Sequence, residues 1–225
     1  MPATVKIFRY LEANWALKSL RERRLKVSRI MGLNDPFEWR IGTIADDVTH
    51  ATAGREAFDE FVDRLNKQFG MISYSAELSD PVIWSHYADK HKGIALQFDQ
   101  LLVEELLPIA YCHALPTFDV THFLENGSDT NYMLSVLKMA NGRKSPSWTY
   151  EKEYRVHCHF ATQCEEEKGV FYKRIPDCFL KRVILGVHCT ATKMEVEQAL
   201  GEGGLVNVEI VKARMSDTSY EILCD

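Results

Sequence analysis

The sequence predicts one mixed α+β domain over residues 1–225, with a largely antiparallel sheet and helices packed on it. Three observations carry that expectation. The chain has 225 residues, 46% of them hydrophobic, which suits one sizeable core better than two small ones. Segments with a two-residue apolar period outnumber long segments with a 3.6-residue period, and the two kinds are interleaved irregularly rather than as repeated β-α-β units. Neither G-x-G-x-x-G nor G-x-x-x-x-G-K-[ST] occurs, so the phosphate loops of the two commonest nucleotide-binding folds are missing.

In chain order, Val5 to Tyr10 reads as a strand and Leu11 to Arg23 as a helix turning Trp15, Leu17 and Leu20 to the core. The basic group Arg21, Arg23, Arg24 and Lys26 falls at the end of that helix, where the dipole favours cations. Lys26 to Ile30 is a second strand. In LNDPFE, residues 33–38, Pro36 keeps Asp35 out of helical angles, which makes Asn34 and Asp35 turn and cap residues before a short helix. Gly54 to Gln68 is an amphipathic helix with Phe58, Phe61, Val62 and Leu65 on one stripe, and Gly70 ends it. Met71 to Ala76 is a buried strand. In SDPVIWSHYADKHKG, Asp80 caps a helix, Pro81 takes its first position and Gly93 closes the turn. Ile94, Leu96 and Phe98 alternate in the next strand, Ile109 to His113 is a shorter one, and Phe118 to Met139 is helical except at ENGSD, 125–129. The rest reads as a strand at 149–160, a strand at 170–175, the apolar run VILGV at 183–187, a helix near 192–200, and strands near 206–213 and 219–223.

A net charge of −5 without a long basic run argues against duplex nucleic acid as a partner. No apolar stretch approaches the roughly 20 residues of a membrane span and no signal-peptide pattern opens the chain, so the expectation is a cytoplasmic protein with no membrane partner. Six cysteines without a C-x-x-C pair read as reduced thiols. The pairs Cys112–His113, His157–Cys158–His159 and His188–Cys189 invite a metal reading, yet neighbours on a strand point to opposite faces and only His157 and His159 share one. No metal site is expected. A Cys–His nucleophile is not expected either, because Cys158 falls on an apolar face.

Two stretches carry chemistry. TYEKEYRVHCHF, 149–160, read as a strand, places Tyr150, Tyr154, Val156, Cys158 and Phe160 on one face and Glu151, Glu153, Arg155, His157 and His159 on the other. The ionisable face is either solvated or the floor of a site. WSHYADKHKG, 84–93, places Trp84, Tyr87, Ala88 and His91 along one side of a helix, as a ring-binding pocket or a packing surface against a sheet.

The set LNDPFE, WSHYADKHKGIALQFD, SWTYEKEYRV and LKRVILG, in this order, resembles a widespread prokaryotic family of proteins catalogued as a domain of unknown function, over nearly the whole chain. That family carries N-D-P-F, W-S-H-Y-A-x-x-H-x-G-x-x-x-x-F-D and W-x-Y-E-x-E-x-R. A second resemblance is to ADP-ribosyltransferases of the Arg–Ser–Glu type, which place an arginine on an early strand, Ser-x-Ser on a middle strand and E-x-E on a late one. Here these are Arg9 in KIFRYL, Ser73 and Ser75 in MISYSAE, and Glu151 and Glu153 in YEKEYR, with gaps of roughly sixty to eighty residues.

The second resemblance implies an ADP-ribosyltransferase-like fold and an NAD-using transferase or glycohydrolase, of a defence or toxin type, acting on a nucleotide or a macromolecular acceptor. It implies Glu153 as the carboxylate beside the oxocarbenium, Glu151 positioning the acceptor and Arg9 pairing with phosphate. Ser73 and Ser75 would fix the nicotinamide ribose or the strand geometry, and Tyr74 or Tyr87 would stack on the ring. The residues of WSHYADKHKG themselves add Trp84, and His86 or His91 as a donor reaching the same cleft, to the expected cofactor pocket. The alternative is a nucleotide- or small-ligand-binding sensor of the same fold that does not turn its ligand over.

Overall fold

Ten of the period-two segments pair into one sheet. In chain order they are β1 Val5–Leu11, β2 Arg24–Arg29, β3 Phe69–Ser75, β4 Ile94–Gln100, β5 Leu107–Pro108, β6 Glu153–His159, β7 Glu165–Glu167, β8 Val170–Arg174, β9 Leu180–Leu185 and β10 Glu209–Lys212. The helices are α1 Ala13–Arg21, α2 Val48–Gln68, α3 Pro81–Tyr87, α4 Val120–Asn126, α5 Thr130–Asn141, α6 Phe160–Gln163 and α7 Lys193–Glu202. The structure, a computed structural model, describes residues 5–44, 48–100, 106–126, 129–176 and 179–224. Cys178 and the middle of the ENGSD turn, residues 127–128, lie outside them.

The sheet runs β7-β8-β2-β3-β1-β4-β9-β10, with β6 and then β5 on the other edge of β3. All its pairings are antiparallel except β9 with β10. The fold is therefore the mixed α+β architecture that the pattern predicts. Strand β3 is where the sheet forks. Its β6 edge is paired throughout, from Glu153↔Ser75 to His159↔Phe69. Its opposite edge holds β2 at one end, through Ser28↔Met71 and Arg29↔Gly70, and β1 at the other, through Phe8↔Ser75. On that edge, between those contacts, Ile72, Ser73 and Tyr74 pair with no strand among the described residues.

One face of the sheet carries Ile7, Ile72, Leu96, Val156, Cys158 and Val183 under α1 and α7, which contribute Leu17, Leu20, Val196 and Leu200. The other face carries two separate apolar clusters. Met71 packs with Phe58 and Val62 of α2, Phe118, Phe123 and Val136. Phe8, Tyr10, Ala95 and Ile184 pack with Ile83 and Trp84 of α3. Ser73, Ser75, Glu153 and Arg155 share this second face, in register across β3 and β6, and fall between the two clusters. The polar residues thus form a seam that no helix covers with an apolar stripe.

Four local expectations are corrected. Trp15 is exposed rather than core-facing; the buried stripe of α1 is Ala16, Leu17 and Leu20, and Trp15 lies a helical step to its side beneath the Lys18 ammonium. LNDPFE makes turns rather than a helix, with Asp35 Oδ1 accepting from Phe37 N at 2.9 Å. Ile109 to His113 supplies only the two-residue strand Ala110–Tyr111, paired with Arg143–Lys144. Residues 146–151 form a 3-10 turn, Lys152 follows at φ 42, and the strand begins at Glu153.

The segment after α3 turns sharply. Asp89, Lys90 and His91 all have positive φ, which costs non-glycine residues energy, and Gly93 then passes under β1 so closely that an added Cβ would lie 2.2 Å from Leu11 O. That close approach delivers the chain into β4, antiparallel to β1.

Candidate functional site

The fork encloses a cavity of about 220 Å³. Arg9 leaves β1 beside it and donates Nη1 to Ser73 O at 2.7 Å, one of the carbonyls the fork leaves without a strand partner. Its walls include Phe8 and Tyr10 of β1, Ser73, Tyr74 and Ser75 of β3, Tyr87 of α3, Asn34 and Glu38 of the LNDPFE turns, and Lys144, Glu151 and Glu153. Arg9, Ser73, Tyr74, Ser75, Tyr87, Glu151 and Glu153 are thus brought together. Trp84 and His86 are not among the lining residues. Trp84 is fully buried, donates Nε1 to Leu78 O at 2.6 Å and stands edge-on to Tyr10, so it packs α3 onto β1. His86 is exposed and meets Tyr150 Oη at 2.8 Å.

Beneath the cavity lies a network of five buried charges. Lys144 Nζ sits 2.7 Å from Glu151, 2.9 Å from Glu153 and 3.3 Å from Glu38. Arg155 Nε and Nη2 grip both oxygens of Glu153 at 2.7 and 2.9 Å, its Nη1 takes Asn141, and it also pairs with Glu38. Arg155 is 1% exposed and Glu153 5% exposed, so the ionisable face of β6 is not solvated. Each of the five charges finds opposite charge within ion-pair distance, which offsets the cost of burying it.

The two carboxylates two residues apart are driven in opposite directions. Burial would raise Glu153, but hydrogen bonds and charge from Arg155 and Lys144 prevail and hold it at about 2. Burial raises Glu151, only partly offset by Lys144 and by the hydroxyl of Tyr87, which donates to Oε1. Lys144 is raised, because its three carboxylate neighbours outweigh burial. Arg9 is lowered by burial, partly offset by Tyr74 and Glu153. It forms no ion pair among the described residues, so it is the cation of this site still open to an anion.

From Glu151 a line of hydroxyls leads outward. Tyr87 Oη donates to Glu151 and accepts from Asn34 Nδ2 at 2.9 Å, and Tyr150, nearby, meets His86 at the surface at 2.8 Å. Ser75 fixes the start of this line by donating Oγ to the Glu151 carbonyl, whereas the Ser73 hydroxyl has no hydrogen-bond partner among the described residues.

A pH prediction follows from Glu153. A carboxyl with a depressed folded-state pKa contributes stability that is present above its unfolded value and lost as pH falls through the folded one. The loss should therefore develop between about pH 4.5 and about pH 2 and amount to about 3 kcal/mol, with Glu151 working in the opposite sense. Urea unfolding at stepped pH reads it, and a stability flat across that interval would contradict the pairing.

Sequence reasoning missed Glu38, Lys144 and Arg155 as members of the site, and Asn34 as a partner of Tyr87. Glu38 and Asn34 had a signal in LNDPFE, a polar group of turn-formers with no evident solvent role. Lys144, in GRKSP, had none.

Residues 83–156 match the family model described as "Protein of unknown function (DUF2971)". No curated protein and no solved structure matches the chain. The segment is narrower than the nearly chain-long resemblance: LNDPFE and LKRVILG fall outside it. It contributes Tyr87, Lys144, Glu151, Glu153 and Arg155, whereas Arg9, Asn34, Glu38, Ser73 and Ser75 come from the residues before it. The cavity lies where residues 83–156 meet the strands that precede them.

Proposed function

We propose that the fork cavity takes the nicotinamide–ribose end of NAD⁺ and breaks its N-glycosidic bond, passing ADP-ribose to water or to a macromolecular acceptor. The observation that carries this reading is the meeting of Arg9, Ser73, Glu151 and Glu153, from three distant parts of the chain, in one cavity. At about 220 Å³ the cavity suits the reacting end of such a molecule rather than the whole, since pockets for drug-sized ligands run from roughly 300 Å³.

In the reaction the C1′–N bond breaks and its electron pair neutralises the nicotinamide ring nitrogen, leaving an oxocarbenium-like sugar. Glu153 stays anionic at any physiological pH and supplies fixed negative charge beside it. Arg9 pairs with a phosphate of the ADP-ribose half that is passed on. The attacking oxygen bonds to C1′ and gives its proton to Glu151, whose raised pKa suits a base. That proton leaves along Tyr87, Tyr150 and His86.

A second reading, binding without turnover, is favoured by one observation: Arg155 and Lys144 already occupy both oxygens of Glu153. The two separate by incubating the protein with NAD⁺ and measuring both released nicotinamide and bound ligand. Release that falls at least tenfold in Arg9→Ala is expected for the enzyme. Binding without release supports the sensor, and neither signal ends both readings.

A further inference from the structure

A second cavity, of about 450 Å³, lies on the same sheet face beyond Arg155 and shares no lining residue with the fork. Its size falls within the roughly 300–1,000 Å³ of small-molecule pockets. The walls are apolar, from Ile30, Leu65, Phe69, Leu107 and Leu137, and three polar groups join them: Asn141, His157 and Lys138.

The hydrogen bonds of Asn141 determine what His157 offers. Arg155 Nη1 donates to the Asn141 backbone oxygen and to Oδ1, each at 3.0 Å. The other end of that amide is therefore the nitrogen, and Nδ2 donates to His157 Nε2. With Nε2 accepting, a neutral ring carries its proton on Nδ1. Burial, reinforced by the charge of Arg155, holds His157 at about 4, so the ring is neutral at ordinary pH. Nδ1–H has no partner among the described residues and is not one of the sealed, unbonded atoms of the interior, so it is an accessible donor on a half-buried ring. Lys138, on the exposed side of α5, likewise makes no ion pair among the described residues. An apolar cavity thus ends in the free imidazole donor and the Lys138 cation, and Trp39, whose buried Nε1–H has no partner among the described residues, also lines it.

We propose that this cavity is a second ligand site, for a small apolar molecule tipped by a carboxylate, with the tip received by His157 Nδ1–H and Lys138. It goes beyond the NAD⁺ reading and stands whether or not that reading holds.

The test uses the full chain and octanoate as probe, with 1-octanol as its uncharged comparator, by titration calorimetry at neutral pH. Saturable binding of octanoate is expected, at least tenfold tighter than that of octanol. His157→Phe keeps the ring volume, removes the donor and should weaken octanoate about tenfold, as loss of a hydrogen bond to a charged group does. Leu107→Trp and Leu137→Trp, made separately so that either can decide if the other fails to fold, should abolish binding by filling the cavity. No saturable binding of octanoate, equal binding of octanol, or binding that survives the filled cavity would each overturn the proposal.

Discussion

Arg155→Met is expected to lower the stability of the protein by about 3–5 kcal/mol. The methionine matches the volume of the lost side chain closely enough to leave no large void, so the effect is electrostatic. Removing Arg155 leaves Glu38, Glu151 and Glu153 facing Lys144 alone in a buried seam and strips the two hydrogen bonds that Nη1 gives Asn141. Breaking a buried charge pair from one side costs this much because the surviving charges keep their desolvation penalty. Urea unfolding at neutral pH is the measurement. Arg155→Lys should lose less, since the charge remains, but not nothing, because an ammonium cannot hold both oxygens of Glu153 and Asn141 at once. A loss below about 1 kcal/mol for Arg155→Met would mean that the seam is wet.

Glu151→Gln is the second large effect, and it falls on turnover. If Glu151 is the base, the substitution should lower nicotinamide release from NAD⁺ by about 10²–10⁴-fold. Because burial raises Glu151, wild-type activity should climb with pH through a limb above the ordinary carboxylate range, and that limb should vanish in Glu151→Gln. The amide oxygen can keep accepting from Lys144 while its NH2 turns to donate to the Tyr87 hydroxyl, and a melt run beside the assay separates any loss of folding from the loss of turnover. Unaltered release by the variant would remove Glu151 from the chemistry. Glu153→Gln is the poorer experiment. Its carboxylate is clamped by Arg155 and Lys144, so the amide is expected to cost about 3 kcal/mol and to confound folding with catalysis.

The order of elements was legible because it rests on local rules. Asp80 and Pro81 announce the start of α3, and the Asp80 side chain does accept from Val82 N. The capping box at Thr192 and Glu195 shows the same kind of local determination at α7. The sequence also pointed to Arg9, Ser73, Ser75, Glu151 and Glu153, and these do line one cavity. Trp84 and His86 were drawn into the same list by the density of polar aromatic groups on one short helix, which says that they are close along the chain but not what lies opposite each. Opposite Trp84 is Tyr10, so it is core; opposite His86 is Tyr150, so it is at the surface.

TYEKEYRVHCHF shows most clearly where local reading stops. Alternation by itself determined that Tyr154, Val156 and Cys158 face one way and Glu153, Arg155 and His157 the other. It could not determine whether the second face meets water, because that depends on segments more than a hundred residues earlier and on a turn just before the strand. Glu151 reaches the site from that turn, with Lys152 in the left-handed region reversing the chain between it and Glu153, and no two-residue period contains such a step. The fork that makes the cavity is likewise invisible locally, since it arises when β1 and β2 compete for one edge of β3. Periodicity is a property of the chain near a residue; burial of a charge is decided by what the rest of the chain places over it, and only tertiary structure brings Lys144 and Glu38 there.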